Sequence, residues 1–131
     1  MSSQQQQQQK LQDANAEFNK IQAEMSSIVE ARQTLGAQLS ENETVQQEFK
    51  DLKPENVVYK LVGPALVKQD QAEAKSNVDT RIEFIKGEIQ RVEEQLKSIE
   101  ARAEKKRNEV VELNNALVQQ QQQQQGEAAS S

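Results

Sequence analysis

The sequence predicts a mainly α fold: a long antiparallel two-helix coiled coil joined by a single β-hairpin that assembles into a sheet shared with other chains. Three observations carry this expectation. Apolar residues recur at alternating steps of three and four through both halves of the chain, which is the heptad period. Between the halves, NVVYKLVGPALVKQD (residues 56–70) is rich in β-branched residues around a Gly-Pro pair. The 131 residues are only 34% hydrophobic and 3% aromatic with no Trp, too little for a layered globule and suited to long helices.

Residues 1–10, MSSQQQQQQK, form a Gln-rich segment that buries little and is expected as a disordered tail, the alternative for both Gln tracts being an extension of the adjoining helices by a turn or two. A helix is expected over 11–53. Its seam consists of Leu11, Phe18, Met25, Arg32, Leu39 and Gln46 alternating with Ala14, Ile21, Ile28, Leu35, Asn42 and Phe49. Val45, Phe49 and Leu52 suggest a drift of phase near its end. Pro54 then stops the helix, because it lacks a donor and disfavours helix in the residue before it. The polar seam positions Arg32, Asn42 and Gln46 read as register control, since a polar residue penalises slipped alignments.

A β-hairpin is expected over 57–69. Gly63 supplies the positive φ of a type II′ turn and Pro64 suits the next position, so Val62 pairs with Ala65, Leu61 with Leu66 and Lys60 with Val67. A second helix follows over 71–118. Asp70 and Glu73 have the spacing of a capping box at its start. Its seam is Val78, Ile85, Val92, Ile99, Lys106 and Leu113 with Ile82, Ile89, Leu96, Ala103, Val110 and Leu117. Folding back at the Gly-Pro brings Lys106 level with Glu17, within reach of an ion pair. Residues 119–131 are expected as a second Gln-rich disordered tail.

The composition excludes several classes of function. With no Cys and no His, the common nucleophile–base pairs and thiolate chemistry cannot be built, and a reducing, cytoplasmic setting fits. No phosphate-binding Gly motif occurs, so no enzyme, cofactor or metal is expected. The net charge of −5 argues against nucleic acid, and Lys105, Lys106 and Arg107 read as solvated helix surface. No apolar run is long enough to span a membrane.

The hairpin poses the functional question. A lone two-stranded ribbon is marginally stable in water, and this one has apolar residues on both faces and two open edges. It therefore reads as an assembly module, with Val57, Val58, Tyr59, Leu61, Val62, Gly63, Pro64, Leu66 and Val67 as the residues that join it to other chains.

The run VYKLVGPALVKQDQAEAKSNVDTRIEFIKGEIQR, preceded by VEARQTLGAQLSENETVQQEF, resembles the prefoldin β class over about residues 28–113. The resemblance implies a subunit of a heterohexameric, ATP-independent holdase co-chaperone built from two α-class and four β-class chains. On that resemblance the hairpins assemble into a shared barrel, a double β-barrel platform from which the six coiled coils hang. The implied partners are other prefoldin α- and β-class subunits, unfolded or nascent clients such as actin and tubulin, and the cytosolic group II chaperonin. On that view Leu11, Phe18, Val110, Leu113, Leu117 and Val118, near the free helix ends, are the candidate client contacts. Two other readings remain: a scaffold subunit of a prefoldin-like assembly, and a structural spacer made of a parallel coiled-coil dimer.

Overall fold

A computed structural model describes residues 2–130. Helix α1 runs Ser3–Lys50, strand β1 Val58–Val62, strand β2 Ala65–Gln69 and helix α2 Gln71–Ser130. The expected mainly helical fold with one hairpin is present. The chain divides into two compact units, residues up to Val29 with those from Gln95 onward, and Glu30–Glu94.

Within Glu30–Glu94 the two helices run antiparallel. Arg32 Nε lies 3.1 Å from Glu93 Oε1, and Gln46 Nε2 donates to Asp79 Oδ1 at 2.9 Å. Stepping forward along α1 from Arg32 to Gln46 steps back along α2 from Glu93 to Asp79 by the same number of residues. Ala74, Val78, Ile82, Ile85 and Ile89 supply the buried side of this seam. The polar intrusions are all satisfied. Arg32 and Gln46 bond across to α2, while Asn42 Nδ2 donates to the Gln38 carbonyl on its own helix at 2.7 Å. Two of the three therefore tie a particular residue of one helix to a particular residue of the other, which is what register control requires. Gly36 makes room for this, since a Cβ there would lie 3.1 Å from Arg32 Nη1.

The other unit is also antiparallel. Lys106 Nζ meets Glu17 Oε2 at 2.6 Å, as the sequence register predicts, and Arg102 reaches Glu24 at 3.6 Å. Its core is Ile21, Ile99 and Ala103, with Phe18, Met25, Ile28 and Leu96 packed against it. These intrachain contacts fill the seam that a parallel two-chain spacer would need for its partner.

Three features differ from the sequence reading. Both Gln tracts are helix in the structure, not disordered tails: α1 takes in Gln4 to Gln9 and α2 continues through Gln119 to Gln125. Gln is a good helix former, and lengthening an existing helix adds one bond per residue with no new nucleus to form. Gln4, Gln7 and Gln120 are less exposed than their neighbours and continue the seam spacing. Met1 and Ser131 of the expected tails lie outside the described residues. Secondly, α1 ends at Lys50, not 53, because the chain tightens before Pro54, with Asp51 and Leu52 bonding back to Glu48 and Phe49. Thirdly, the seam phase does not drift. Gln46 keeps its inward place by bonding Asp79, and Val45 is exposed.

Candidate functional site

The hairpin's strands pair antiparallel with the expected register, Val62 to Ala65, Leu61 to Leu66 and Lys60 to Val67. Gly63 has φ of 59°, the sign a type II′ turn needs at this position, and is the one described residue with positive φ. Directly paired residues of an antiparallel ribbon share a face, and successive residues alternate. One face therefore carries Tyr59, Leu61, Leu66 and Lys68. The other carries Val58, Lys60, Val62, Ala65, Val67 and Gln69.

Among the described residues, nothing covers either face. Leu61 and Leu66 are each 68% exposed and Tyr59 57%. Val57, Val62, Gly63, Pro64 and Val67 are exposed as well, and only Val58 and its pair Gln69, nearest the helices, are half-buried. Burying a large aliphatic or aromatic side chain is worth about 1.5–3 kcal/mol. Five such side chains, Tyr59, Leu61, Val62, Leu66 and Val67, thus represent on the order of 10 kcal/mol of burial that this chain leaves unmade. Both strand edges, with their backbone donors and acceptors, also lack a third strand among the described residues.

The base of the hairpin is braced. Gln71 Nε2 donates to the carbonyls of Lys53 at 2.8 Å and Asn56 at 2.6 Å, and the Asn56 side chain accepts from the Lys53 N–H. The Asp70 carboxylate accepts from the Glu73 N–H at 3.1 Å, which caps α2. One side chain thus ties the connecting segment to the first turn of α2, holding the ribbon at a defined exit from the helices.

The candidate client contacts behave differently. Leu11, Phe18, Val110 and Leu113 are half-buried, and Phe18 packs on the Ile21 core. Leu117 is 9% exposed, and only Val118, at 41%, is openly exposed. They are seam residues within continuous helix and not at its ends, because the helices run on through the Gln tracts. Sequence reasoning missed Val111, which is 50% exposed and lies seven residues before Val118 on the same face. Its signal was an apolar residue outside the heptad seam.

Lys106 is the one charged seam residue of α2. It is held by two carboxylates, Glu109 at 2.8 Å and Glu17 at 2.6 Å. Hydrogen bonding to Glu109 and then to Glu17 raises its pKa above the ordinary 10.5. The Lys106 hydrogen bond and its charge lower that of Glu17 below 4.5. Among the described residues no helix is long and apolar enough to cross a membrane.

Comparison with known proteins places this geometry. A family model described as Prefoldin subunit matches residues 5–124. Prefoldin subunit 6 of Saccharomyces cerevisiae is 41% identical over 103 residues, 79% of this chain and 90% of that protein. Its human counterpart is 41% identical over 106 residues, covering 81% of this chain and 82% of that one. Among solved structures, the prefoldin beta subunit from Thermococcus strain KS-1 superposes with a TM-score of 0.71 at 22% identity, covering 76% of this chain and 88% of that one. The beta2 subunit from the same strain gives 0.61 at 24% identity, over 70% and 97% of the two chains.

Proposed function

The chain belongs to the prefoldin subunit family, and from that premise we propose that it is a β-class, sixth-position subunit of a heterohexameric co-chaperone that holds unfolded chains without ATP. The observation that carries this reading is the hairpin: a ribbon with two apolar faces and two open edges is completed only by strands of other chains. Those chains are the other α- and β-class subunits, and the shared sheet forms the platform of the complex.

Clients such as nascent actin and tubulin bind at the end of the coiled coil formed by the start of α1 and the close of α2, and pass to the cytosolic group II chaperonin. Val111 and Val118 offer the first contact, being exposed in the folded helix. Leu11, Phe18, Val110, Leu113 and Leu117 join when a client's apolar side chains replace their partners across the seam. Each contact is weak, and several arms acting together give useful affinity by effective concentration. Release needs no chemistry, and no residue is assigned a catalytic role. The complex works in the cytoplasm.

Native mass spectrometry of complexes isolated through the tagged full chain from its own cells tests the reading. One copy in a six-chain assembly of small subunits, able to suppress aggregation of denatured actin, is the expected result. A homodimer, or an assembly with no α-class partner, would refute it.

A further inference from the structure

Beside the hairpin lies a groove in which two faces meet. The start of α2 contributes Arg81 and Phe84, the end of α1 Val45 and Phe49, and β1 contributes Tyr59 and Lys60. Phe84 is off the coiled-coil seam and 68% exposed, as open as the leucines of the hairpin. The whole chain has three Phe, one Tyr and no Trp, and three of these four aromatic residues line this one groove. Aromatic side chains carry a disproportionate share of interface energy, and an isolated helix face has no use for one pointing at water.

Charge narrows the occupant. Lys60 and Arg81 are the only ionisable side chains besides Tyr59 in the lining, and neither has an ion-pair partner among the described residues. No carboxylate lines the groove, in a chain whose net charge is −5. It is a local basic, aromatic surface on an acidic protein. Its complement is an apolar segment that carries at least one carboxylate.

Position narrows it further. Tyr59 and Lys60 belong to the strand whose partners complete the sheet, so the groove is continuous with that surface. A chain that extends the sheet along β1 runs beside the strand that lines this groove. We propose that this groove is a second docking surface, in which Phe84 and Phe49 receive an apolar, carboxylate-bearing segment of a neighbouring prefoldin subunit while Arg81 or Lys60 pairs with its carboxylate. The inference rests on the assembly reading above. It adds a side-chain lock to the backbone pairing of the sheet, and so a means of selecting which subunit sits next to this one. Strand pairing alone is nearly blind to sequence, whereas an aromatic pocket flanked by two cations is not.

The test uses complexes isolated through the tagged full chain, diluted stepwise and followed by native mass spectrometry. Wild type is compared with Phe84→Ala, Phe84→Leu and Arg81→Glu, each checked for unchanged helix content by circular dichroism. Phe84→Ala and Arg81→Glu raise the concentration at which the neighbouring subunit is lost by about tenfold, as removal of an interface anchor does. Phe84→Leu stays nearer wild type. Both Ala and Glu variants dissociating at the wild-type concentration overturns the docking surface and leaves the assembly reading untouched. Wild-type dissociation joined to a loss of actin holding also overturns it, by assigning the groove to clients. A wild-type chain that never co-purifies with prefoldin subunits overturns both readings.

Discussion

Two alanines introduced in place of glycine have opposite expected effects, and the pair tests the physical account of this chain from both sides. Gly87 lies inside α2 and has no positive φ, and a Cβ built there meets nothing within 4 Å. Alanine keeps the helical backbone while removing freedom from the unfolded chain, a gain of about 1 kcal/mol. For a chain of this size that raises the unfolding midpoint by about 4 °C. Gly63 also has nothing within 4 Å of its would-be Cβ, so packing cannot decide the outcome there. Its φ of 59° does. An L-residue held at that angle costs about 1–2 kcal/mol, and the hairpin turn offers no alternative conformation that keeps the observed register. The assay is thermal unfolding of the assembled protein by circular dichroism, with the two single variants measured beside wild type. Gly87→Ala above wild type and Gly63→Ala below it is the expected order. A Gly87→Ala variant at or below wild type would mean that this face of α2 is in contact in the assembly, and the account of it as open helix surface would fail.

Further tests address the seam, the cap, the ion pair and the exposed valines. A double-mutant cycle on Gln46→Ala and Asp79→Ala is expected to show coupling of about 1 kcal/mol, since the bond at 2.9 Å is partly buried and one partner is charged; independent effects would remove this pair from register control. Asp70→Ala loses the α2 cap and about 1 kcal/mol of stability by denaturant titration, with Asp70→Asn retaining most of it. Glu17 has a lowered pKa, so its pairing with Lys106 stabilises above the ordinary carboxylate value of 4.5 and is lost as pH falls through the lowered value. The raised Lys106 value adds stability up to the ordinary 10.5 that disappears as pH climbs through the raised one. The stability difference between wild type and Lys106→Gln should therefore be greatest near neutrality and shrink at both extremes, and a difference that stays constant on acidification would contradict the pairing. Val111→Ser with Val118→Ser should leave assembly intact and weaken suppression of actin aggregation; undiminished holding would move the client surface elsewhere.

Most of the architecture was readable from the residues because the signals are periodic and local. Alternation by three and four identified both helices and their inward positions, down to the match between Lys106 and Glu17. Gly63 followed by Pro64 specified the turn, and the turn specified the register of every pair in the ribbon. Helix ends were less legible, because a Gln tract is compatible with coil and with helix until a helix adjoins it. Here a formed helix adjoins each tract, following the first and preceding the second, and the balance tips toward continuing it. Nor could spacing distinguish Val45 from Gln46 as the inward residue, for that choice depends on Asp79 waiting across the seam.

From the residues alone follow the packing of two helices against each other, the point where they reverse, and the need of the ribbon between them for partners. All of these follow from patterns that repeat along one chain. Tertiary structure alone decided which apolar residues are left over once the seam has taken its share. Leu117 and Phe18, apolar and near the chain's ends, are used up in packing, whereas Phe84, Val111 and Val118 remain outside. Exposure is a property of what stands opposite a side chain, and the groove joining Val45, Phe49, Tyr59 and Phe84 is assembled from three elements. No stretch of sequence contains it.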